Sequence, residues 1–248
     1  MFKYLIAVLC LVFGALTLMY FYIGVPVIYD GAKDVILNVH RADNAEQSIS
    51  KIYISAFYFV PKNKKEDIFT GWSTTLQEKL EALMRFHTVE LQEKSELTYT
   101  IYPEPIIGRL NNIEYDTFIT QHGNPEALRH VVPEIESRVF EANGDLFRND
   151  FGTIPKDAYH VLVVMYEGVG SIGGDNIALI SRTFLTSSEY APVSESLLAH
   201  EFYHTLGLPD AYTLPEGTVT SQDIMGLGRY TPIGQTYLSQ KSLQALGL

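Results

Sequence analysis

Eleven consecutive residues, His200-Glu201-Phe202-Tyr203-His204-Thr205-Leu206-Gly207-Leu208-Pro209-Asp210, have the types and spacing of a catalytic zinc site. On a helix His200 and His204 stand one turn apart on the same face, so two imidazoles can converge on one ion at roughly 2.0–2.1 Å. Glu201 follows the first ligand. It sits beside the metal without binding it, where it can take a proton from a metal-activated water. Gly207 can adopt positive φ at little cost and so ends the helix, and Pro209 prevents it from resuming. Asp210, six positions after His204, then offers a carboxylate as third ligand and leaves a fourth position open, which is the mark of catalytic rather than structural zinc. Asp223 is the competing third ligand. A glutamate supplied by a distant downstream helix is excluded, since no Glu follows Glu216.

The wording His-Glu-x-x-His-x-x-Gly-x-x-Asp, with Met225 downstream in Asp223-Ile224-Met225-Gly226, resembles the metzincin clan of zinc metallopeptidases in its variant with Asp as third ligand. Within that clan, residues 195–230 are similar to the immune-inhibitor-A-like (M6) peptidases, with snapalysin-type enzymes next. The resemblance implies a Met-turn at Met225 forming an apolar floor under the zinc. It also implies that the strand preceding the active helix is a sheet edge lining the cleft, a place that Asn176–Thr183 occupies by order. One departure is Leu227, which stands where several metzincins carry a tyrosine two residues after that Met; Tyr230 is the nearest tyrosine beyond it.

These residues need a scaffold, and the rest of the chain predicts an α/β (α+β) domain in which a mixed sheet is packed with helices. Lys51–Val60 is rich in β-branched and aromatic residues and reads as a buried strand ending at Pro61. Leu76, Leu80, Leu83, Met84 and Leu91 recur at helical spacing, which predicts a long helix from Ser73 to about Lys94, with His87 on its surface or half-buried. Glu96–Ile107 reads as a second strand closed by Pro103 and Pro105, and Pro125–Ala142 as a second helix with Pro133 as a boundary or kink. His122 and His130 stand in no ligand-spaced cluster and read as incidental. Ala158–Tyr166 is the central strand, and glycine-rich Gly168–Gly174 a flexible connection without the lysine of a phosphate-binding loop. Pro192–Leu206 is the active helix, with Ser194 as its N-cap. Gln235–Leu248 closes the domain as a helix packing Tyr237, Leu238, Leu243 and Leu246.

The 248 residues, 46% hydrophobic, are enough for one sizeable core plus an anchor. Tyr4–Tyr29 contains no charge and exceeds the roughly 20 residues that cross a bilayer as a helix. No Ala-x-Ala cleavage pattern follows it, and Tyr20, Phe21, Tyr22 and Tyr29 fit an interfacial belt. Residues 1–30 therefore read as an uncleaved signal anchor, 31–50 as a stalk and early strand, and 51–248 as an exported peptidase domain. Beyond residue 29 there are 17 basic and 29 acidic residues, a net charge of −12, which excludes a nucleic-acid partner needing a basic face. The single cysteine, Cys10, lies in the anchor, so the domain has no internal disulfide and no thiolate to cap the metal.

The expected function is a membrane-tethered zinc endopeptidase acting on protein or peptide, with zinc on His200, His204 and Asp210 and with Glu201 as general base. Two other classes share these residues: a zinc-stabilised binding module without turnover, and a zinc amidase acting on cell-wall peptide.

Overall fold

A computed structural model describes residues 37–40, 46–115, 125–143, 157–211 and 222–248. Its frame is β3, Lys51–Val60, whose side chains are buried at every position but the first. A strand buried on both faces must be apolar throughout, and this one divides its residues by the two-residue period of a strand. Ile52, Ile54, Ala56, Tyr58 and Val60 enter one apolar cluster, while Phe57 and Phe59 enter the other.

Around β3 the chain builds a six-stranded sheet. Before it lies a separate antiparallel pair, β1 (Asn38–His40) with β2 (Glu46–Ser48). β4 (Glu96–Ile101) pairs with the first part of β3 and the short β5 (Ile106–Ile107) with its last two residues, both parallel to β3. On the other side of β3, β6 (Tyr159–Tyr166) runs parallel to it, and β8 (Ile177–Ser181) parallel to β6. The last strand, β7 (Ser171–Gly174), is antiparallel to β8 and forms the edge. Parallel neighbours need crossovers; helices lie in those between β3 and β4 and between β5 and β6, while β7 lies in the one between β6 and β8. Trp72–Glu90 is α1, packing Trp72, Leu76, Leu80, Leu83 and Phe86 on the first cluster, and Pro125–Asn143 is α2, packing Val131, Ile135 and Val139 on the second. The layers are thus helix, sheet, helix, a mixed α/β fold.

Three elements follow the sheet: α3 (Arg182–Thr186), α4 (Ser194–Thr205) and α5 (Gln240–Ala245). Ten of the twelve residues of α4 are buried, including Leu197, Leu198, Phe202 and Tyr203 on the first cluster. Such a helix is apolar because it lies inside the molecule, so the polar His200 and Glu201 within it need local partners.

Several expectations change. The edge strand is β7, within the glycine-rich run, whereas Ile177–Ser181 is interior; Asp175 and Asn176, both at positive φ (43° and 69°), make the two-residue turn between them. Ser194 is not the N-cap of α4. Val193 is, and the Ser194 hydroxyl donates to the Ala191 carbonyl at 3.2 Å. His87 is fully buried rather than on the surface. The closing helix is confined to α5, and Tyr237 before it is exposed while Leu238 and Leu246 are buried. Pro133 lies inside α2 without ending it. No helix among the described residues is long and apolar enough to cross a membrane; Tyr4–Tyr29, His122 and most of the 31–50 stretch lie outside the described residues.

Candidate metal centre

The end of α4 brings the donor residues together. Gly207 adopts φ 82° just past the helix, and two hydrogen bonds close the turn, Gly207 N to His204 O at 3.0 Å and Leu208 N to Tyr203 O at 3.2 Å. This is a Schellman ending, in which a residue without Cβ takes the left-handed position. It turns the Leu208 carbonyl back toward the helix, where it accepts the His204 Nδ1 proton at 2.8 Å. His200 donates its own Nδ1 proton to the Ile224 carbonyl at 2.9 Å. A carbonyl can only accept, so both rings carry their proton on Nδ1 and present the lone pair of Nε2 to the same space.

The two Nε2 atoms are 3.1 Å apart, and Asp210 Oδ1 lies 3.4 Å from that of His200 and 3.3 Å from that of His204. Donors about 2.0–2.1 Å from a tetrahedral centre stand about 3.3–3.4 Å from one another, so the three separations fit the edges of a zinc tetrahedron. Two lone pairs and a carboxylate this close repel unless a cation lies among them. The ionisation of the cluster points the same way. Burial pushes the Asp210 carboxyl up, but when the imidazoles also carry a proton on Nε2 their hydrogen bonds and charges outweigh it and hold the group well below the usual range. For His204 burial acts downward, yet the contacts with Asp210, Glu201 and the Leu208 carbonyl together raise it. The Arg229 guanidinium, with Nη1 3.1 Å from His200 Nε2 and 3.9 Å from Asp210 Oδ1, is one cation beside this donor set; a proton or a metal ion also satisfies it, and its chemistry suits zinc.

Glu201 is a second carboxylate nearby, with one oxygen within 4.8 Å of both imidazole nitrogens. Its Oε1 accepts the Ser171 hydroxyl at 2.7 Å, so either carboxylate stands close enough to join the histidines. Asp223 is elsewhere. It is buried, its Oδ1 accepts from Met225 N at 3.0 Å and its Oδ2 from the Ser242 hydroxyl at 3.4 Å, so it builds the turn rather than facing the cluster. Met225 is fully buried in that turn, whose Ile224 carbonyl orients His200. Ala211 N donates to the Met225 carbonyl at 2.7 Å, tying the strand of chain after Asp210 to the same turn.

A cavity of about 320 Å³ opens over these residues, lined also by Ser171, Ile172 and Gly173 of β7 and by Arg229 and Tyr230. Gly173 is required there, because a Cβ would lie 2.1 Å from the Glu201 carbonyl oxygen. Ser171 and Arg229 carry no signal in the sequence. Their partners are 30 and 29 positions away, and neither lies in a spaced motif. His130 is exposed on α2 and belongs to the opposite side of the sheet from α4.

No family model matches the sequence, and no curated protein matches it. Among solved structures the chain is similar to an archaemetzincin from Methanopyrus kandleri, with 11% identity and a TM-score of 0.38 over 79% of this chain and 94% of that one. It is also similar to metalloproteinase-II from Bacteroides fragilis, with 11% identity and a TM-score of 0.44 over 89% of this chain and 59% of that one.

Proposed function

We propose that this chain is a zinc-dependent endopeptidase of the metzincin type, in the Asp-ligand, M6-like variant that residues 195–230 resemble. The observation that carries the reading is the near-tetrahedral spacing of His200 Nε2, His204 Nε2 and Asp210 Oδ1, with the buried Glu201 carboxylate beside them. His200, His204 and Asp210 would hold the ion. Bound there, zinc supplies a Lewis acid that polarises the scissile carbonyl and makes a water nucleophilic near neutral pH.

The chain's own residues do the rest. Glu201 accepts the proton of the attacking water and returns it to the leaving amine. The Ser171 hydroxyl, donating to Glu201 Oε1 at 2.7 Å, restrains the carboxylate. Among the described residues β7 is the last strand of the sheet, and such an edge can hydrogen-bond an extended peptide as an added strand, which favours backbone over side-chain recognition. Protein or peptide is accordingly the substrate class. On its charge pattern alone the sequence adds a further element to the proposal, residues 1–30 as a signal anchor that exports the domain; the mass of membrane-extracted protein tests it, and a mature terminus near residue 25–30 would refute it.

The test of the chemistry is zinc content by mass spectrometry together with cleavage of a mixed peptide library, with and without chelator. Wild type should bind one zinc and cleave, and Glu201→Ala should keep zinc while losing roughly 10²–10⁴-fold in hydrolysis. A zinc-loaded wild type that binds peptide and cleaves none would make the chain a binding module instead.

A further inference from the structure

We propose that Arg229 is a further catalytic residue, whose guanidinium donates to the oxygen of the scissile carbonyl as that oxygen takes on negative charge; this rests on the peptidase reading above. Arg229 lies at the reacting end of the cavity, with Nη1 3.1 Å from His200 Nε2 and 3.9 Å from Asp210 Oδ1. Its side chain is 16% exposed and its Cζ stands 4.8 Å from the centre of the Tyr230 ring, a cation–π contact that holds the guanidinium at the wall.

The backbone beneath it is fixed as well. Leu227–Tyr230 forms a 3₁₀ turn continuing the Asp223–Gly226 turn, and Gly228 N donates to the Asp223 carbonyl at 3.0 Å. A Cβ at Gly228 would meet the Gln222 carbonyl at 2.2 Å, so the turn has no slack at that point.

The contact with His200 gives the direction of donation. Because the Nδ1 proton of His200 goes to the Ile224 carbonyl, Nε2 must accept, and Arg229 is the donor. Once a cation is held among His200, His204 and Asp210, that lone pair is taken and the two positive charges repel. The guanidinium stands on the wall of the cavity that His200, Glu201, His204 and Asp210 also line, where an electron-rich atom of a bound substrate comes within its reach. A carbonyl oxygen under attack is one, and it becomes a better acceptor as the reaction proceeds, which is the condition for lowering a barrier rather than merely binding substrate.

In the step, a water oxygen bonds to the carbonyl carbon, the C=O π pair moves onto the carbonyl oxygen, and one water proton goes to Glu201. Arg229 hydrogen-bonds to that oxygen and keeps all its protons. When the pair returns, the C–N bond breaks, its electrons leave with nitrogen, and nitrogen takes the proton from Glu201. The products are an amine and a carboxylic acid that ionises.

The experiment compares wild type, Arg229→Ala, Arg229→Gln and Tyr230→Phe in the full chain. It measures zinc affinity against a competing chelator, kcat and KM on one cleaved peptide, and affinity for a phosphonate peptide, a tetrahedral anion, beside the matched cleavage product. Arg229→Ala should bind zinc more tightly by a few-fold, since a cation next to the donors is gone. Its kcat and its phosphonate affinity should each fall by about 10²-fold, while KM and product affinity stay within about threefold. Arg229→Gln, which keeps the stem and a donor without the charge, should fall between and serves if the alanine variant does not fold. Unchanged kcat and phosphonate affinity in a zinc-loaded arginine variant overturns the assignment to Arg229 alone, as does a loss confined to Tyr230→Phe. A wild type that holds zinc but cleaves nothing fails the peptidase reading, and the role of Arg229 falls with it.

Discussion

The Ser171 hydroxyl and the Glu201 carboxylate are 2.7 Å apart and both buried, so the edge strand of the sheet and the active helix meet at the group that must handle protons. A hydrogen bond to a charged acceptor away from water is worth more than one at the surface, about 1.5–3 kcal/mol. Ser171→Ala should therefore keep zinc and fold yet lower kcat roughly tenfold, with KM little changed, whereas Ser171→Thr should retain most of the rate because it keeps the hydroxyl. Steady-state kinetics on zinc-matched preparations read this; equal rates for Ser171→Ala and wild type would leave Ser171 a bystander.

Two adjacent glycines of β7 separate packing from strand propensity. A Cβ at Gly173 would lie 2.1 Å from the Glu201 carbonyl oxygen, while one at Gly174 meets nothing within 4 Å. Overpacking against backbone costs about 1–3 kcal/mol, so Gly173→Ala should lower the urea midpoint and reduce turnover by lifting β7 from the helix. Gly174→Ala should change neither. If both variants unfold alike, the close approach of strand and helix is not what the glycine serves.

What could be read from the sequence followed from how local its cause was. The ending of α4 was legible because glycine and proline punctuate it within four residues and the Schellman bonds are themselves local. Lys51–Val60 and Tyr159–Tyr166 were legible because strands buried on both faces must be continuously apolar. The edge strand was not, since two of its four residues are glycines, and one of them, Gly173, answers to the backbone of Glu201 on a helix far along the chain at the expense of strand propensity. Ser194 carries a good capping hydroxyl, but tertiary packing turned it to the Ala191 carbonyl instead. Arg229 reaches His200 only because the turn after Met225 folds under α4.

The two candidate aspartates differ in what they hold. Asp210 Oδ1 converges with both imidazoles, and Asp210→Ala should lose zinc and activity together. Asp223 accepts from Met225 N and Ser242 inside the turn that orients His200, and leaving that backbone N–H without its partner costs about 1–3 kcal/mol. Asp223→Ala should thus lower thermal stability while keeping one zinc per folded chain. Metal analysis of both variants decides it; zinc loss in Asp223→Ala with zinc retained in Asp210→Ala would reverse the ligand assignment.

His87 makes the last prediction, a dependence of stability on pH that arises outside the metal centre. Its Nε2 lies 2.8 Å from the Ser95 hydroxyl, whose own proton goes to the Ile49 carbonyl, so Nε2 is the donor and Nδ1 accepts from the Tyr203 hydroxyl at 3.2 Å. The imidazole is neutral and fully buried, and burial pushes its pKa down to about 4 from an ordinary value near 6.5. A depressed folded pKa means that the unfolded chain takes up a proton that the native chain refuses. The stabilisation is complete above pH 6.5, is lost as pH falls toward 4, and changes no further below that, amounting to roughly 3 kcal/mol at most. Tyr203 lies on α4 between Glu201 and His204, so acid loosening of this contact acts on the active helix. Urea midpoints between pH 7 and pH 4.5 should fall more steeply for wild type than for His87→Gln, which keeps a donor and an acceptor without titrating. Identical slopes in the two proteins would place the acid sensitivity in other groups and exclude His87 as its source.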